Sequence, residues 1–138
     1  SRRQRQMCIR DRSGVHHVKI PVTDIERSRH WYESTLGLRV QRDFRDDDGV
    51  VRGLAGTLSS PEGEPFLSIA LRQNPQVAQG IHGFDPLSLY VPNQGELEAW
   101  KDHLERLGHG VPDATPNGNV LLLHDPDGIE IRIFGTRP

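Results

Sequence analysis

Residues 16–38 read HHVKIPVTDIERSRHWYESTLGL, and the hydrophobic pattern of this stretch decides the fold. Every second residue of the run VKIPV is apolar and β-branched, which predicts a strand with one buried face. The Thr-x-x-Glu pattern that begins at Thr23 predicts a capping box, followed by a helix that extends to about Leu36, where Gly37 ends it. The stretch therefore predicts one βα unit.

Three further stretches of strand composition follow, at residues 38–44, 50–58 and 66–72. The turn-rich sequences DDDG and PEGEP separate them, and such turns commonly join antiparallel strands. The order βαβββ is therefore predicted for a first module at about residues 15–73.

The second half of the chain has the same order of elements. A strand at residues 87–91 precedes a helix that is capped near Asn93. Strands at residues 120–124 and 129–134 flank the turn DPDG, and a less regular strand is predicted near Val111. These elements make a second module at about residues 85–135.

A constant offset relates the two halves, since 69 residues separate Val18 from Leu87 and also Trp31 from Trp100. Two copies of one supersecondary unit must pack together to bury their apolar faces. The sequence therefore predicts an α+β fold of two βαβββ modules, with the two tryptophans packed between helix and sheet.

Within the first twelve residues, SRRQRQMCIRDR, residues 2–12 match the translation of one reading frame of a transposase sequencing adapter. We therefore expect residues 1–12 to be a disordered artefact and residues 13–138 to form a single domain. Without residues 2–12, which hold five arginines, one aspartate and the one cysteine, the formal charge falls from −2 to −6. An acidic domain without a basic stripe argues against a nucleic-acid partner, and the lack of cysteine excludes thiolate chemistry. No apolar run approaches the roughly 20 residues of a membrane-spanning helix.

Two motifs at opposite ends of the domain resemble those of a known family. Residues 16–38 resemble the opening βα unit of the vicinal-oxygen-chelate superfamily, and LHDPDGIEIRIF at residues 123–134 resembles its closing hairpin. Glyoxalase I, the bleomycin-resistance proteins and the extradiol dioxygenases are members. The resemblance implies a cupped mixed sheet that binds a small molecule, helices on the outer face, and a cytoplasmic homodimer.

Metal enzymes of this superfamily place up to four ligands in the cup. The corresponding positions here are His17, Ser68 or Ala70, Pro86 and Arg132. Most transition-metal sites need at least three protein ligands, and a guanidinium has no lone pair to give. The resemblance therefore implies no cofactor, with a divalent metal held by His17 and ligands not located in the sequence as the alternative.

The last strand supplies two candidate catalytic residues. Strand alternation puts Glu130 and Arg132 on the face opposite the apolar side chains, where they face either the cup or solvent. Beside His17 and Lys19, Arg132 would form a corner for a carboxylate, phosphate or phenolate, and His82 is an alternative metal ligand. The other predicted ligand-binding residues are Ser68, Tyr90, His124 and Phe134.

Three function classes are compatible with these observations, because this scaffold hosts many chemistries. The first is a small-molecule-binding protein or metal-independent enzyme acting on a small polar or anionic metabolite or drug. The second is a metal-dependent lyase, isomerase, dioxygenase or thiol transferase that uses His17. The third is a different α+β ligand-binding or regulatory fold with a ferredoxin-like repeat. The scarcity of metal ligands favours the first class.

Overall fold

The computed structural model describes residues 10–110, 115–116 and 118–138. Residues 1–9 of the adapter-like segment and the strand predicted near Val111 lie outside this range. The described strands are β1 (Val18–Val22), β2 (Arg39–Arg45), β3 (Val51–Ser59), β4 (Pro65–Gln73), β5 (Leu87–Tyr90), β6 (Val120–His124) and β7 (Glu130–Phe134). The described helices are α1 (Ile25–Leu36), α2 (Pro75–Gly80) and α3 (Gln94–Arg106). The α+β class is as the sequence predicts, and so is the order of the described elements other than α2.

The first sheet has the strand order β1-β4-β3-β2. β1 runs parallel to β4, and β3 runs antiparallel to both of its neighbours. A register shift in β2 between Val40 and Arg42 places Arg42, rather than Gln41, opposite Ala55 of β3. One extra residue in a strand re-aims the side chains that follow it. This bulge therefore decides which β2 side chains share a face with the centre of the sheet.

The second sheet has the strand order β5-β7-β6, so its first strand again pairs in parallel with its last. Leu87 lies opposite Ile131 in that pairing. A tight turn joins β6 to β7, with the Gly128 amide donating to the Asp125 carbonyl at 2.9 Å. The described part of the second module thus repeats the topology of the first.

The internal repeat extends to the helix caps. α1 begins at Ile25 and α3 at Gln94, and their N-cap residues are Asp24 and Asn93, so both pairs are separated by the same 69 residues. The prediction that Thr23 caps α1 is wrong, because the Asp24 carboxylate accepts from the first amides of the helix. Aspartate and threonine both cap helices well, and the residue adjacent to the helix takes the position.

A single hydrophobic core joins the two modules. The alternation predicted for the last strand is confirmed, since Ile131 and Ile133 are almost fully buried while Glu130 and Arg132 are half-buried on the opposite face. Fully buried aliphatic side chains come from both sheets and from the inner faces of α1 and α3. The largest of them are Ile20, Leu54, Ile69, Leu71, Leu97, Leu104, Leu121, Ile129, Ile131 and Ile133.

Two further observations concern the tryptophans of α1 and α3 and the short helix α2. Trp31 and Trp100 pack, half-buried, against the core, so the predicted helix-to-sheet packing is confirmed. The short helix α2, which Asn74 caps through its side chain, was not predicted. Within the described ranges, no helix has both the length and the apolar character needed to span a bilayer.

Hydrogen bonds and an ion pair connect helix α1 and the residues just before it to the β6–β7 turn of the second module. The Tyr32 hydroxyl donates to the Asp125 carboxylate at 2.8 Å, and both side chains are buried. The Thr23 amide donates to Asp127 at 3.0 Å, and Arg27 pairs with the same carboxylate. Burial raises the pKa of Tyr32 and of Asp125 above their ordinary values, because both charged forms lose hydration there.

Candidate functional site

A cleft of about 680 Å³ opens on the first sheet. Pockets for small ligands commonly measure about 300–1,000 Å³, so the cleft has room for a small molecule. Three of the predicted ligand-binding residues, His17, Lys19 and Ser68, line it. The other described lining residues are His16, Gln41, Arg42, Phe44, Gly53, Leu54, Ala55, Gly56, Ile69, Ala70, Leu71 and Arg72.

Small residues form the floor of the cleft. Ala70 of β4 lies opposite Ala55 of β3, and Gly53 lies two residues further along the same face of β3. Side chains two residues apart on a strand point to the same side. The cleft therefore exists because these three positions carry a methyl group or hydrogen where larger side chains would fill the space.

Basic side chains surround this floor. Lys19 lies next to Ala70 on β1, Arg42 lies next to Ala55 on β2, and Arg72 lies opposite Gly53. None of the lining residues in the described ranges is aspartate or glutamate. The described side chains that line the cleft therefore carry a net positive charge, although the domain as a whole is acidic.

Arg72 is held in place from outside the cleft. Its guanidinium donates to Asp46 at 3.0 Å, and Arg52 donates to the other oxygen of the same carboxylate at 3.0 Å. Hydrogen bonds from Arg52 and Arg72 hold the pKa of Asp46 below its usual range. The acidic turn at residues 46–48 thus carries ion pairs that orient one of the cleft's arginines.

Two histidines lie side by side at the edge of the cleft. The Nδ1 atoms of His16 and His17 are 2.8 Å apart, so one ring donates a hydrogen bond to the other. Both side chains are exposed to solvent. The pair can donate a hydrogen bond to a polar ligand in the cleft.

The remaining predicted site residues lie on the second sheet. Glu130 and Arg132 project from β7 on its open face, with 3.5 Å between Arg132 Nη2 and Glu130 Oε1. His124 Nε2 lies 3.6 Å from the other Glu130 oxygen, and Arg132 Nε lies 3.2 Å from Asp85. Tyr90 and Phe134 are a directly paired couple on neighbouring strands of this sheet. The opposite charges of Asp85, Glu130 and Arg132 thus partly neutralise one another.

The structure therefore brings the predicted residues together in two groups rather than one. Glu130 and Arg132 are not among the described residues that line the cleft, and Arg132 pairs with carboxylates instead of standing beside His17 and Lys19. The predicted corner of Arg132, His17 and Lys19 is not formed within one chain.

Sequence reasoning missed the two arginines of the cleft. Arg72 follows Ser68 by four residues on one strand, so alternation from Ser68 would have found it. Arg42 reaches this face only through the bulge in β2, and no pattern in the sequence marks that bulge.

The metal positions of the superfamily are not matched by a donor set in this chain. Within the described ranges, no three His, Cys, Asp or Glu side chains lie close enough to hold one ion. His17 lies among basic side chains, which repel a cation. His82, the alternative ligand, contacts the Asp127 carbonyl at 3.0 Å beside the β6–β7 turn, away from the residues that line the cleft. Among the described residues, the donor groups therefore do not form a metal site within a single chain.

Comparison with known proteins places this architecture in a family. Residues 14–133 match the model of the Glyoxalase/Bleomycin resistance protein/Dioxygenase superfamily. A curated relative, the putative ring-cleaving dioxygenase MhqA of Bacillus subtilis (strain 168), is 22% identical over 122 residues. That alignment covers 84% of this chain but only 38% of the relative, so the chain spans about two fifths of its length.

Solved structures have the same fold. A glyoxylase/bleomycin resistance protein/dioxygenase domain from Frankia sp. EAN1pec is 27% identical, with a TM-score of 0.64 over 92% of this chain and 100% of that one. A mutant of the fosfomycin resistance protein FosX from Listeria monocytogenes, complexed with Mn(II) and 1S,2S-dihydroxypropylphosphonic acid, is 12% identical. Its TM-score is 0.66, over 92% of this chain and 95% of that one. The chain belongs to the Glyoxalase/Bleomycin resistance protein/Dioxygenase superfamily.

Proposed function

We propose that this protein binds a small anionic metabolite or drug in the cleft of the first sheet, as a binding protein or a metal-independent enzyme. The observation that carries the proposal is the lining of the cleft, where Lys19, Arg42 and Arg72 surround a floor of small residues without a carboxylate. Arginine and lysine donate charge-assisted hydrogen bonds to carboxylate and phosphonate oxygens. The phosphonic acid held by the FosX relative is an anion of this chemical class.

The first experiment compares benzoate with benzamide, which has the same shape and no charge, by isothermal titration calorimetry at low salt. We expect benzoate to bind and benzamide to bind at least roughly tenfold more weakly, since only the anion gains charge-assisted hydrogen bonds. Ala70→Leu fills the floor and is expected to abolish binding. Ala99→Leu, the same change at an exposed position of α3, is the control. Equal binding of the two probes, or undiminished binding by Ala70→Leu, would contradict the proposal.

We further propose that two copies associate so that the second sheet of one copy covers the cleft of the other. Both sheets have an open face with exposed aromatic side chains, Phe44 on the first and Tyr90 on the second. The carboxylates of Glu130 on the second sheet and of Asp85, just before β5, complement the basic face of the first sheet. In such a homodimer, Glu130 and Arg132 would reach the ligand as the proposed catalytic pair.

A metal-dependent activity is the alternative function. His124 and Glu130 offer two donor groups 3.6 Å apart, and His17, directly before β1 of the other sheet, offers a third. A homodimer that brings the two sheets face to face would bring these donors together.

Native mass spectrometry of the protein soaked in zinc, nickel, iron(II) or manganese tests both the dimer and the metal. We expect the mass of two chains without stoichiometric metal. One metal per site that is lost in His17→Ala would establish the alternative, and a mass of one chain would refute the dimer. His30→Ala, on the outer surface of α1, is the matched control.

A further inference from the structure

The floor of the cleft is crossed by one continuous row of side chains. Lys19 pairs with Ala70, Ala70 pairs with Ala55, and Ala55 pairs with Arg42, so the row runs straight across all four strands. The two ends of the row are cationic, and the two central positions carry only methyl groups. A molecule lying along this row therefore meets a positive charge at each end.

The two end charges are free to bind a ligand. The side chain of Lys19 has no ion pair or hydrogen bond to any residue in the described ranges. The guanidinium of Arg42 stacks 5.2 Å from the centre of the Phe44 ring, a contact that leaves its N–H groups available. Arg72, by contrast, already has Asp46 as its partner. Lys19 and Arg42 are thus the two cleft cations that lack a counterion within the described part of the chain.

The separation of these charges sets the length of the ligand. Neighbouring strands lie about 4.8 Å apart, so three steps put the backbones of Lys19 and Arg42 about 14 Å from one another. Strand side chains that extend perpendicular to the sheet over a ligand would keep this spacing, and a hydrogen bond of about 2.8 Å at each end would then leave about 8 Å between the anionic oxygens of the ligand. A single compact anion cannot reach both ends.

We propose that the ligand of this cleft is an elongated dianion, with one anionic group at Lys19 and the other at Arg42, and a flat apolar middle over Ala55 and Ala70. This inference rests on the proposed function and names the substrate class of that same site. A rigid para-substituted aromatic dicarboxylate has the required shape, and the methyl floor accepts its ring face.

Terephthalate is the probe, and two matched compounds separate charge from length. 4-Carbamoylbenzoate has the same shape with one charge, and phthalate has both charges on adjacent ring carbons. By isothermal titration calorimetry at low salt, we expect terephthalate to bind at least roughly tenfold more tightly than either, since only terephthalate engages both cations. Its affinity is also expected to fall most steeply with added salt.

Variants of Lys19 and Arg42 test whether each cation binds one anionic group of terephthalate. Lys19→Met and Arg42→Met are each expected to reduce terephthalate binding to about the level of 4-carbamoylbenzoate, because each variant leaves only one of the two cations. Arg106→Met removes an exposed positive charge from α3 and is the control. Circular dichroism of each variant is expected to show a retained fold, because both cleft side chains are exposed.

The outcomes separate this inference from the function on which it rests. If the three probes bind equally, and Ala70→Leu still blocks all of them, the cleft binds anions but the dianion inference is overturned. The dianion inference is also overturned if Lys19→Met and Arg42→Met still bind terephthalate more tightly than 4-carbamoylbenzoate and phthalate. If none of the probes binds, or if Ala70→Leu leaves binding unchanged, both the proposed function and the inference are overturned.

Discussion

Replacing Asp125 with alanine is expected to lower the free energy of unfolding by about 3–4 kcal/mol, because it leaves several buried donors without an acceptor. The Asp125 carboxylate accepts from the Tyr32 hydroxyl and the Asp127 amide at 2.8 Å and from the Ile129 amide at 3.0 Å. It is also almost fully buried, with 4% of its surface exposed. Urea unfolding followed by tryptophan fluorescence measures the loss.

Two milder variants calibrate this result. Tyr32→Phe removes one of the three hydrogen bonds and is expected to cost about 1–2 kcal/mol. Asp125→Asn keeps an oxygen for the two backbone amides, avoids burying a charge, and is expected to cost less than the alanine variant. An alanine variant within about 0.5 kcal/mol of the wild type would show that this buried contact does not stabilise the junction between the modules.

Gly56→Ala is expected to lower the free energy of unfolding by about 2–3 kcal/mol, because β2 passes too close to β3 for a methyl group. A Cβ atom at Gly56 would lie 2.6 Å from the carbonyl oxygen of Arg39 and 3.1 Å from Cγ of Leu38. The nearer atom belongs to the backbone, so a strand must move to relieve the clash. The unfolding midpoint in urea is the measurement.

Gly80→Ala is the matched control for this substitution. A Cβ atom at Gly80 would lie within 4 Å of no described atom other than those of its chain neighbours and its own helix backbone. Alanine restricts the unfolded chain more than glycine does, so we expect a change of no more than about 1 kcal/mol, in the stabilising direction. Equal losses for Gly56→Ala and Gly80→Ala would indicate that the close approach of β2 to β3 relaxes without cost.

Most of the fold could be predicted because hydrophobic periodicity and the repeat support each other. The alternation in β1 and β7 and the helical spacing in α1 and α3 each bury one face, and the 69-residue offset relates the two modules. Applied to Asn93, the same offset points to Asp24 and would have corrected the cap assigned to Thr23. The helix α2 has only six residues, which is too short for periodicity to show.

The candidate site was less predictable because it depends on pairing between strands. Alternation within a strand tells which residues share a face, and it correctly grouped Glu130 with Arg132. Alternation within a strand does not show which strands of which sheet surround a cleft. For this reason Arg132 was expected beside His17, although the two residues belong to different modules. The contribution of Arg42 depends on a bulge, a feature of backbone geometry that one sequence does not reveal.

The parallel pairing of the first and last strand in each sheet has a consequence for how the chain folds as it is synthesised. β1 cannot pair with β4 until β4 has left the ribosome, so the first sheet is completed late. This pairing joins residues that are distant in sequence, and such contacts form slowly. Even then, the Tyr32 hydroxyl lacks its acceptor until Asp125 has been translated. The native packing of the first module is therefore expected to become stable only after the end of the chain has been synthesised.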